Sequence, residues 1–271
     1  MGLDRTRLVL DFVIAQVRRQ PFPHIVKDNF VAPELYQALR CSFPDCPPNS
    51  GPTGYSYFWG DAEYEKLMAG SPAWKALFDA TQSQAFIDYC VRQFGEVCAE
   101  AGCTIDLSKA RYVTYCESRA DKERRYLPKV EHEPHELWVR TDILQGRTGY
   151  SRQSHLDHRR RLLGLLVYFC DAEENEMQGG ELVLHAHDGQ ADPANDVVFK
   201  PRHNRLIGFA CTNDSFHSVP KILSQKAPRN FIQIGVSSSV DAWPDNRSAF
   251  VRLKSAVKTR LFPERQVAAG N

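Results

Sequence analysis

The second half of the sequence, from residue 105 onward, breaks into short β-prone runs separated by glycine, proline and charged residues. Seven of these runs are predicted to be strands, over residues 111–116, 162–169, 181–185, 196–199, 205–210, 216–219 and 229–239. Many short strands with such punctuation are typical of a barrel-like double sheet. The runs therefore predict a β core over residues 105–240.

The preceding part of the chain, residues 1–104, has the apolar spacing of helices. Three helices are predicted from that spacing and from the proline, serine and glycine residues at their ends, over residues 4–19, 33–40 and 72–101. Residues 21–26 are expected to form an extended strand. Residues 43–60 are rich in proline and glycine and are expected to form a long loop.

Two further segments are assigned from their composition. Residues 117–134 are charged and poor in apolar side chains, which predicts a solvated loop or a lid. Asp245 can cap a last amphipathic helix over residues 247–261, within a C-terminal part that spans residues 241–271. The sequence contains no internal repeat, so residues 1–271 are predicted to form a single domain.

The charge of the chain is nearly balanced, with 34 basic against 33 acidic side chains and a formal net charge of +1. Such a balance gives no overall field toward nucleic acid or a membrane surface. No apolar run reaches the ~20 residues of a membrane span. The eight cysteines form no Cys-x-x-Cys pair and are expected to be reduced thiols. A cytoplasmic protein without nucleic-acid or membrane partners is expected, and a homodimer through the terminal helices stays open.

Three residues carry the donor chemistry of a metal site. His155 and Asp157 are two residues apart, so on a β-strand their side chains point to the same face. His217 follows sixty residues later and would supply a third ligand. Two imidazoles and one carboxylate leave three positions of an octahedron open, which suits Fe(II). A closed structural site would instead show four protein ligands.

Three further motifs accompany these ligands in a fixed order. They are Gly149-Tyr150 before the His-x-Asp pair, the run 162–169 leading to Gly179-Gly180-Glu181-Leu182, and Pro228-Arg229-Asn230-Phe231-Ile232-Gln233 after the distal histidine. With them, residues 111–239 resemble the iron(II)/2-oxoglutarate-dependent oxygenases of the prolyl-hydroxylase-like branch. The resemblance implies an α+β fold: a double-stranded β-helix (jelly-roll or cupin-like) core, N-terminal helices packed on one sheet, and a C-terminal helix.

The resemblance also implies the cofactors and the residues that bind them. Fe(II) would bind His155, Asp157 and His217, and the cosubstrates would be 2-oxoglutarate and O2, with ascorbate as a candidate reductant. Arg229 would bind the far carboxylate of 2-oxoglutarate because its planar fork pairs bidentately and keeps its charge. Candidate hydroxyl donors to the cosubstrate are Tyr115 and Tyr150. Arg205 is the alternative anion clamp.

Several other residues have a functional and a plain structural interpretation. The run 158–161 is expected to be a solvated loop, although its arginines could attract an anionic substrate. His185 and His187 are expected in an exposed turn, and His158 on the face opposite Asp157. Four aromatic residues could wall a substrate pocket or anchor the core: Tyr57, Phe58, Trp59 and Trp138.

Three functions remain open at this point. The first is a hydroxylase of the 2-oxoglutarate-dependent dioxygenase class, acting on an unactivated C–H bond of a small-molecule or carbohydrate substrate and releasing succinate and CO2. The second is a peptidyl or prolyl hydroxylase acting on a protein. The third is a non-catalytic metal-binding module of the same fold. The complete ligand set and Arg229 favour an enzyme.

Overall fold

A computed structural model describes residues 9–48, 54–116, 132–187 and 190–244. The helices within them are α1 (Pro33–Cys41), α2 (Ala62–Gly70), α3 (Pro72–Thr81) and α4 (Gln84–Glu100), followed by a short 3-10 turn, Leu107–Lys109. The strands are β1 (His24–Lys27), β2 (Gly54–Tyr57), β3 (Arg111–Tyr112), β4 (Glu136–Gly146), β5 (Arg152–His155), β6 (Arg161–Tyr168), β7 (Leu182–Leu184), β8 (Val197–Phe199), β9 (Leu206–Ala210), β10 (His217–Val219) and β11 (Arg229–Ser237). No helix in these ranges is long and apolar enough to cross a membrane.

The strands form two sheets, between which the chain alternates. The large sheet has the order β1-β9-β6-β11-β4-β2, with β3 alongside β4, and the small sheet has the order β5-β10-β7-β8. Apart from β3, neighbouring strands run antiparallel. From β4 to β11 the chain passes repeatedly from one sheet to the other. This winding is the double-stranded β-helix, so the predicted fold class is confirmed.

Strand β6 shows how the large sheet separates two apolar cores. Leu165 and Val167 face the helices, whereas Leu166 and Tyr168 face the inter-sheet space. Because both faces are covered, every residue of β6 is buried. Each large apolar side chain buried in this way contributes about 1.5–3 kcal/mol. The run 162–169 is therefore continuously apolar, without the alternation of a half-exposed strand.

The long helix predicted over 72–101 is two helices. Chain direction changes at Gln82 and Ser83, and the Ser83 hydroxyl accepts a hydrogen bond from the backbone N–H of Phe86 at 3.2 Å. A serine in this position satisfies one of the unpaired N–H groups at a helix start. Ser83 is therefore the N-cap of a separate helix, α4, and α3 ends before it. The helix predicted over 33–40 is confirmed as α1.

The helix predicted over 4–19 is wrong for residues 9–19, which run in an extended conformation. Gln93 on α4 pairs with the backbone of Ala15 through both its amide atoms, each at 2.8 Å. Phe12 stacks on Tyr89 at 5.1 Å between ring centroids. The apolar stripe thus reflects packing on α4, which overrides helix propensity.

The longest strand, β4, was not predicted, and β2 lies inside the predicted loop 43–60. Arg140 and Asp142 interrupt the apolar residues of β4, and their buried positions could not be read from the sequence. The strand predicted over 111–116 is reduced to the two residues of β3. The strand predicted over 21–26 begins three residues later, as β1, and the remaining predicted strands match the observed ones to within two residues. The C-terminal helix 247–261 and most of the charged loop 117–134 lie outside the described residues, so both stay predictions, as does the single-domain boundary.

Gly179 is expected to be intolerant of a side chain. Its φ is +79°, and a Cβ there would collide with the backbone carbonyl of Lys221. Gly179→Ala should lower the free energy of unfolding by more than about 2 kcal/mol, measured by urea denaturation. Gly95 in the middle of α4 is the matched control, because its Cβ would meet only Val91 at 3.6 Å. Gly95→Ala should stabilise the protein by about 0.5–1 kcal/mol.

Candidate metal and cosubstrate site

Pairing in the small sheet brings two of the predicted ligands together. His155 ends β5 and His217 begins β10, and the two residues are direct partners across these antiparallel strands. Their ring centroids are 4.3 Å apart. The winding of the barrel therefore brings together two residues that are 62 positions apart in sequence.

Asp157 completes the cluster from the turn after β5. It lies two residues beyond the end of the strand, yet its carboxylate converges with the two imidazoles, and one donor atom from each residue lies within 4.8 Å of the others. The strand alternation used in the prediction thus gives the right direction, although Asp157 itself is not in the strand. Two histidines and one carboxylate are the donor set that suits non-haem Fe(II).

Hydrogen bonds fix which ring nitrogen of each histidine faces the cluster. His155 Nδ1 lies 2.8 Å from the Gln153 carbonyl oxygen, and His217 Nδ1 lies 2.9 Å from the Ser215 carbonyl oxygen. Each Nδ1–H donates to its carbonyl, which leaves the Nε2 lone pair available. Ligating histidines are oriented in this way in metal sites.

Burial sets the protonation of all three groups. It lowers the pKa of His155 to about 4, with a further contribution from the nearby His217 ring, and it also lowers the pKa of His217. Burial alone would raise the pKa of Asp157, but Arg161 and the two histidines outweigh it and hold that pKa below its usual range. At neutral pH the site therefore presents two neutral imidazoles and a carboxylate, as metal binding requires.

Two residues that sequence reasoning missed contact Asp157. The Arg161 guanidinium lies 3.1 Å from Oδ1, and the Cys211 thiol lies 3.6 Å from Oδ2. The run 158–161 was expected to be solvated, but Arg161 is only 3 % exposed, and Arg160 is also buried. Arg159 is paired with Asp241 at 2.8 Å. The expected solvated loop is therefore wrong for Arg160 and Arg161.

Arg229 is the first residue of β11 and is fully buried. Its Nε donates to the Gly180 carbonyl at 2.7 Å, and its Nη2 donates to the Tyr168 hydroxyl at 3.1 Å. The Phe231 ring centroid lies 4.4 Å from the guanidinium carbon. Nη1 has no hydrogen-bond partner among the described residues. A buried cationic donor without an acceptor is costly, so this atom indicates a place for an anionic ligand.

Tyr168 is the second residue of this pocket and was not predicted. Burial raises the pKa of its hydroxyl, which keeps the hydroxyl neutral and able to donate. The alternation along β6, in which Leu166 and Tyr168 face the inter-sheet space, is the signal that could have identified it. Tyr168 and Arg229 together form a polar end to an otherwise apolar interior.

The other predicted cosubstrate residues are placed differently. The Tyr150 ring covers Gly146, whose Cβ would lie 3.1 Å from it, and Gly146 is the strand partner of Arg229. Tyr150 thus lies on the Arg229 side of the barrel. Tyr115 packs on Trp138 at 4.8 Å between ring centroids. Trp138 is eight residues from Gly146 along β4, or about 26 Å at the usual strand rise.

Tyr115 is therefore not brought to the Arg229 pocket. Arg205, the alternative clamp, is bound to Asp28 through Nε at 2.6 Å and Nη2 at 2.9 Å, away from the cluster.

His187 is 73 % exposed, as expected for the turn. His185 is buried instead, with hydrogen bonds to Asp196 at 2.9 Å and Ser218 at 2.8 Å.

Residues 141–234, about a third of the chain, match the family model described as the 2OG-Fe(II) oxygenase superfamily. The match lies within residues 111–239, the part of the chain that was predicted to resemble this family. These oxygenases use Fe(II), 2-oxoglutarate and O2, and the histidine and carboxylate cluster described above fits that metal. The comparison with curated proteins found no match.

Solved structures of low sequence identity resemble this chain. An oxidoreductase of the 2OG-Fe(II) oxygenase family from Burkholderia pseudomallei has a TM-score of 0.47 at 14% identity, with 83% of this chain and 88% of that chain covered. A Pseudomonas putida prolyl-4-hydroxylase has a TM-score of 0.47 at 12% identity, with 79% of this chain and 92% of that chain covered. HygX from Streptomyces hygroscopicus, with nickel, 2-oxoglutarate and hygromycin B bound, has a TM-score of 0.46 at 12% identity, with 84% of this chain and 89% of that chain covered.

Removal of either histidine should abolish Fe(II) binding. Loss of groups that merely orient a ligand already costs about 10–100-fold in metal affinity, so loss of one of three ligands should exceed a hundredfold. Anaerobic isothermal titration with Fe(II) on His155→Ala and His217→Ala measures this. His187→Ala is the control, because that side chain is exposed and outside the cluster. Unchanged affinity in both cluster variants would show that the ligand assignment is wrong.

Proposed function

We propose that the protein is an Fe(II)- and 2-oxoglutarate-dependent dioxygenase that hydroxylates an unactivated C–H bond of a polar small-molecule or sugar-class substrate. Succinate and CO2 are the coproducts. The observation that carries this proposal is the convergence of His155, Asp157 and His217 in a barrel that also buries Arg229, one nitrogen of which has no hydrogen-bond partner in the described part of the chain. The first group suits the metal and the second suits the cosubstrate carboxylate.

The chain's own residues supply positions, charges and a dry interior. The bound iron and its cosubstrates supply the oxidising chemistry. His155, Asp157 and His217 would hold the metal on one side only, because no fourth donor lies in the cluster among the described residues. The carbonyls of Gln153 and Ser215 keep both imidazoles turned toward it. The three remaining positions are left for the cosubstrates.

Arg229 would bind the far carboxylate of 2-oxoglutarate through Nη1 and Nη2, with the Tyr168 hydroxyl as a third donor. The Gly180 carbonyl holds Nε at 2.7 Å, so the fork cannot rotate away. Lysine could not replace it fully, because an ammonium is a point charge without two parallel donors. The buried hydrogen bond that Arg229 donates to the Gly180 carbonyl thus preorganises the clamp before the ligand arrives.

The inner face of β4 favours a polar substrate. Arg140 Nε binds both carboxylate oxygens of Asp142, at 3.0 and 2.9 Å, and both side chains are buried. They lie on the same face of β4 as Leu144, which packs in the inter-sheet core. A buried ion pair costs desolvation free energy and adds little net stability, so a role in recognising a polar ligand is the better account.

Two aromatic residues of the predicted loop, Phe58 and Trp59, contact the Arg140–Asp142 pair, but only Phe58 does so with its side chain. Phe58 packs under Arg140, at 5.3 Å from ring centroid to guanidinium carbon, and the backbone N–H of Trp59 donates to Asp142 at 3.3 Å. Trp59 itself packs on Phe78 in the helical core. Phe58 is therefore our candidate for a substrate-side residue, whereas Trp59 is a core anchor.

The substrate class is tested by product formation. Purified protein with Fe(II), 2-oxoglutarate and O2, with ascorbate added as reductant, should release succinate faster when polar metabolite fractions are added than when proline-rich peptides are added. A gain of 16 Da on the consumed compound identifies the substrate. Asp157→Gly is the inactive control. Stimulation by peptides alone would favour the peptidyl hydroxylase, and no succinate from any mixture would favour a non-catalytic module.

Arg229→Ala should raise the KM for 2-oxoglutarate by about a hundredfold or more. Loss of one member of a buried charge pair costs about 2–5 kcal/mol, because the remaining carboxylate is left desolvated and unpaired. Arg229→Lys should recover only part of this loss. The measurement is succinate release as a function of 2-oxoglutarate concentration, with Fe(II) affinity measured in parallel and expected to be unchanged.

Arg205→Ala is the matched control for Arg229→Ala. Its guanidinium is occupied by Asp28 and does not face the cluster, so the KM for 2-oxoglutarate should stay within about twofold of the wild-type value, as for a surface ion pair of small free energy. If Arg205→Ala loses 2-oxoglutarate dependence while Arg229→Ala keeps it, the clamp has been assigned to the wrong arginine.

A further inference from the structure

Both oxygens of the Asp157 carboxylate are already contacted, and by partners of unequal strength. Arg161 Nη1 lies 3.1 Å from Oδ1 in a charge-assisted contact, and Cys211 Sγ lies 3.6 Å from Oδ2. A guanidinium is a strong, permanently charged donor, whereas a thiol is a weak one. An incoming metal ion would therefore displace the thiol contact at Oδ2 more easily than the arginine at Oδ1.

The large sheet is built to admit the Arg161 side chain. Gly235 on β11 leaves its inner face open, and a Cβ there would come within 3.0 Å of Arg161 Nε. Gly164, its direct partner on β6, leaves space in the same way for Phe209 and the Cys211 sulfur. Two adjacent glycines thus form a depression in the sheet through which Arg161 reaches Asp157.

The backbone of Arg161 is fixed as well. Its carbonyl accepts a hydrogen bond from Trp243 Nε1 at 3.0 Å, and its backbone N–H donates to the His158 carbonyl at 2.8 Å. The pairing of β6 with β11 also shifts register between Val236 and Ser237, next to Arg161. These contacts position the start of β6, so the guanidinium reaches the carboxylate from a defined direction.

We propose that Arg161 is a positioning residue that holds Oδ1 of Asp157, so that the carboxylate binds the metal through Oδ2 alone. This inference rests on the proposed function, because it assigns Asp157 as a metal ligand. A carboxylate that chelated with both oxygens would occupy a fourth coordination position. Arg161 therefore keeps three positions open, which is the number that a bidentate cosubstrate and O2 need together.

Charge and geometry predict opposite effects of losing Arg161. A guanidinium close to the cluster repels a divalent cation, so charge alone predicts that Arg161→Gln tightens metal binding. Positioning predicts the reverse, because a carboxylate without its partner can rotate away from the productive direction. Loss of such orienting contacts typically weakens metal affinity by about 10–100-fold. The sign of the change therefore separates the two roles.

The experiment is a titration of Co(II) into the apoprotein, with the visible absorption of the bound ion recorded. We expect Arg161→Gln to raise the Kd for Co(II) by about tenfold or more and to change the spectrum, because the number or arrangement of ligands changes. Arg161→Lys should lie nearer the wild type, since its ammonium can still reach Oδ1. Gly235→Ala should shift the spectrum in the same direction by displacing Arg161 without removing it.

Arg159→Gln is the matched control, because the adjacent arginine is paired with Asp241 and lies outside the cluster. It should leave Kd and spectrum unchanged. A purely structural role for Arg161 would lower the melting temperature of the apoprotein without altering the Co(II) spectrum. Tighter binding by Arg161→Gln, or an unchanged Kd and spectrum, overturns the proposal.

The outcome for Arg161 is distinguishable from the outcome for the proposed function. If the wild type binds Co(II) but forms no succinate with Fe(II), the enzymatic proposal fails while the Co(II) titration still decides the role of Arg161. If the wild type binds no Co(II), the ligand assignment and the role of Arg161 fail together. Activity is thus not needed to judge the positioning role.

Discussion

The burial of charge between the two sheets is the constraint on which the site depends. Asp157, Arg161 and Arg229 all lie in an interior that also contains a cluster of buried leucine, isoleucine and phenylalanine side chains. An unpaired charge in such a place costs several kcal/mol, so each charge must have a partner at a defined position. Arg161 pairs with Asp157, and Arg229 keeps Nη1 without a hydrogen-bond partner among the described residues. At the metal end of the interior the buried charges therefore pair with each other, whereas Arg229 at the other end is placed to bind an anion.

The ligand cluster was largely predictable from the sequence because it depends on local rules. His155 and Asp157 are two residues apart, and strand alternation gives their common direction correctly although Asp157 lies just beyond the end of β5. His217 required a long-range contact, which motif order supplied and β5–β10 pairing explains. Arg229 was assigned from the resemblance to the oxygenases, supported by its place at the start of a strong β run, and its role stays a prediction.

What the sequence did not reveal depends on long-range packing. Arg140 and Asp142 look like surface residues in β4, and only the pairing of β4 with β11 shows that they are buried. Arg161 belongs to a charged run, and its direction is set by the space above Gly235. The extended segment 9–19 was misassigned because helical spacing and packing on α4 produce the same apolar pattern. Local periodicity therefore predicts the helices and strands, whereas the elements that pack against them decide which of their residues are buried.

Under the proposed function, the two ends of the barrel interior bind different ligands. Phe231 and Tyr168 surround the Arg229 guanidinium with aromatic faces, which excludes water and strengthens its attraction for a carboxylate. Further along the inner face of β4, at Asp142 and Arg140, the buried side chains are charged. A cosubstrate with one anionic end suits the first region, and a substrate rich in hydrogen-bonding groups suits the second. The metal cluster lies with the residues that join these regions, since Phe209 contacts His217 and faces the Gly164–Gly235 depression. Under the proposed function, the fold thus separates the binding of the two organic ligands while holding both beside one set of metal ligands.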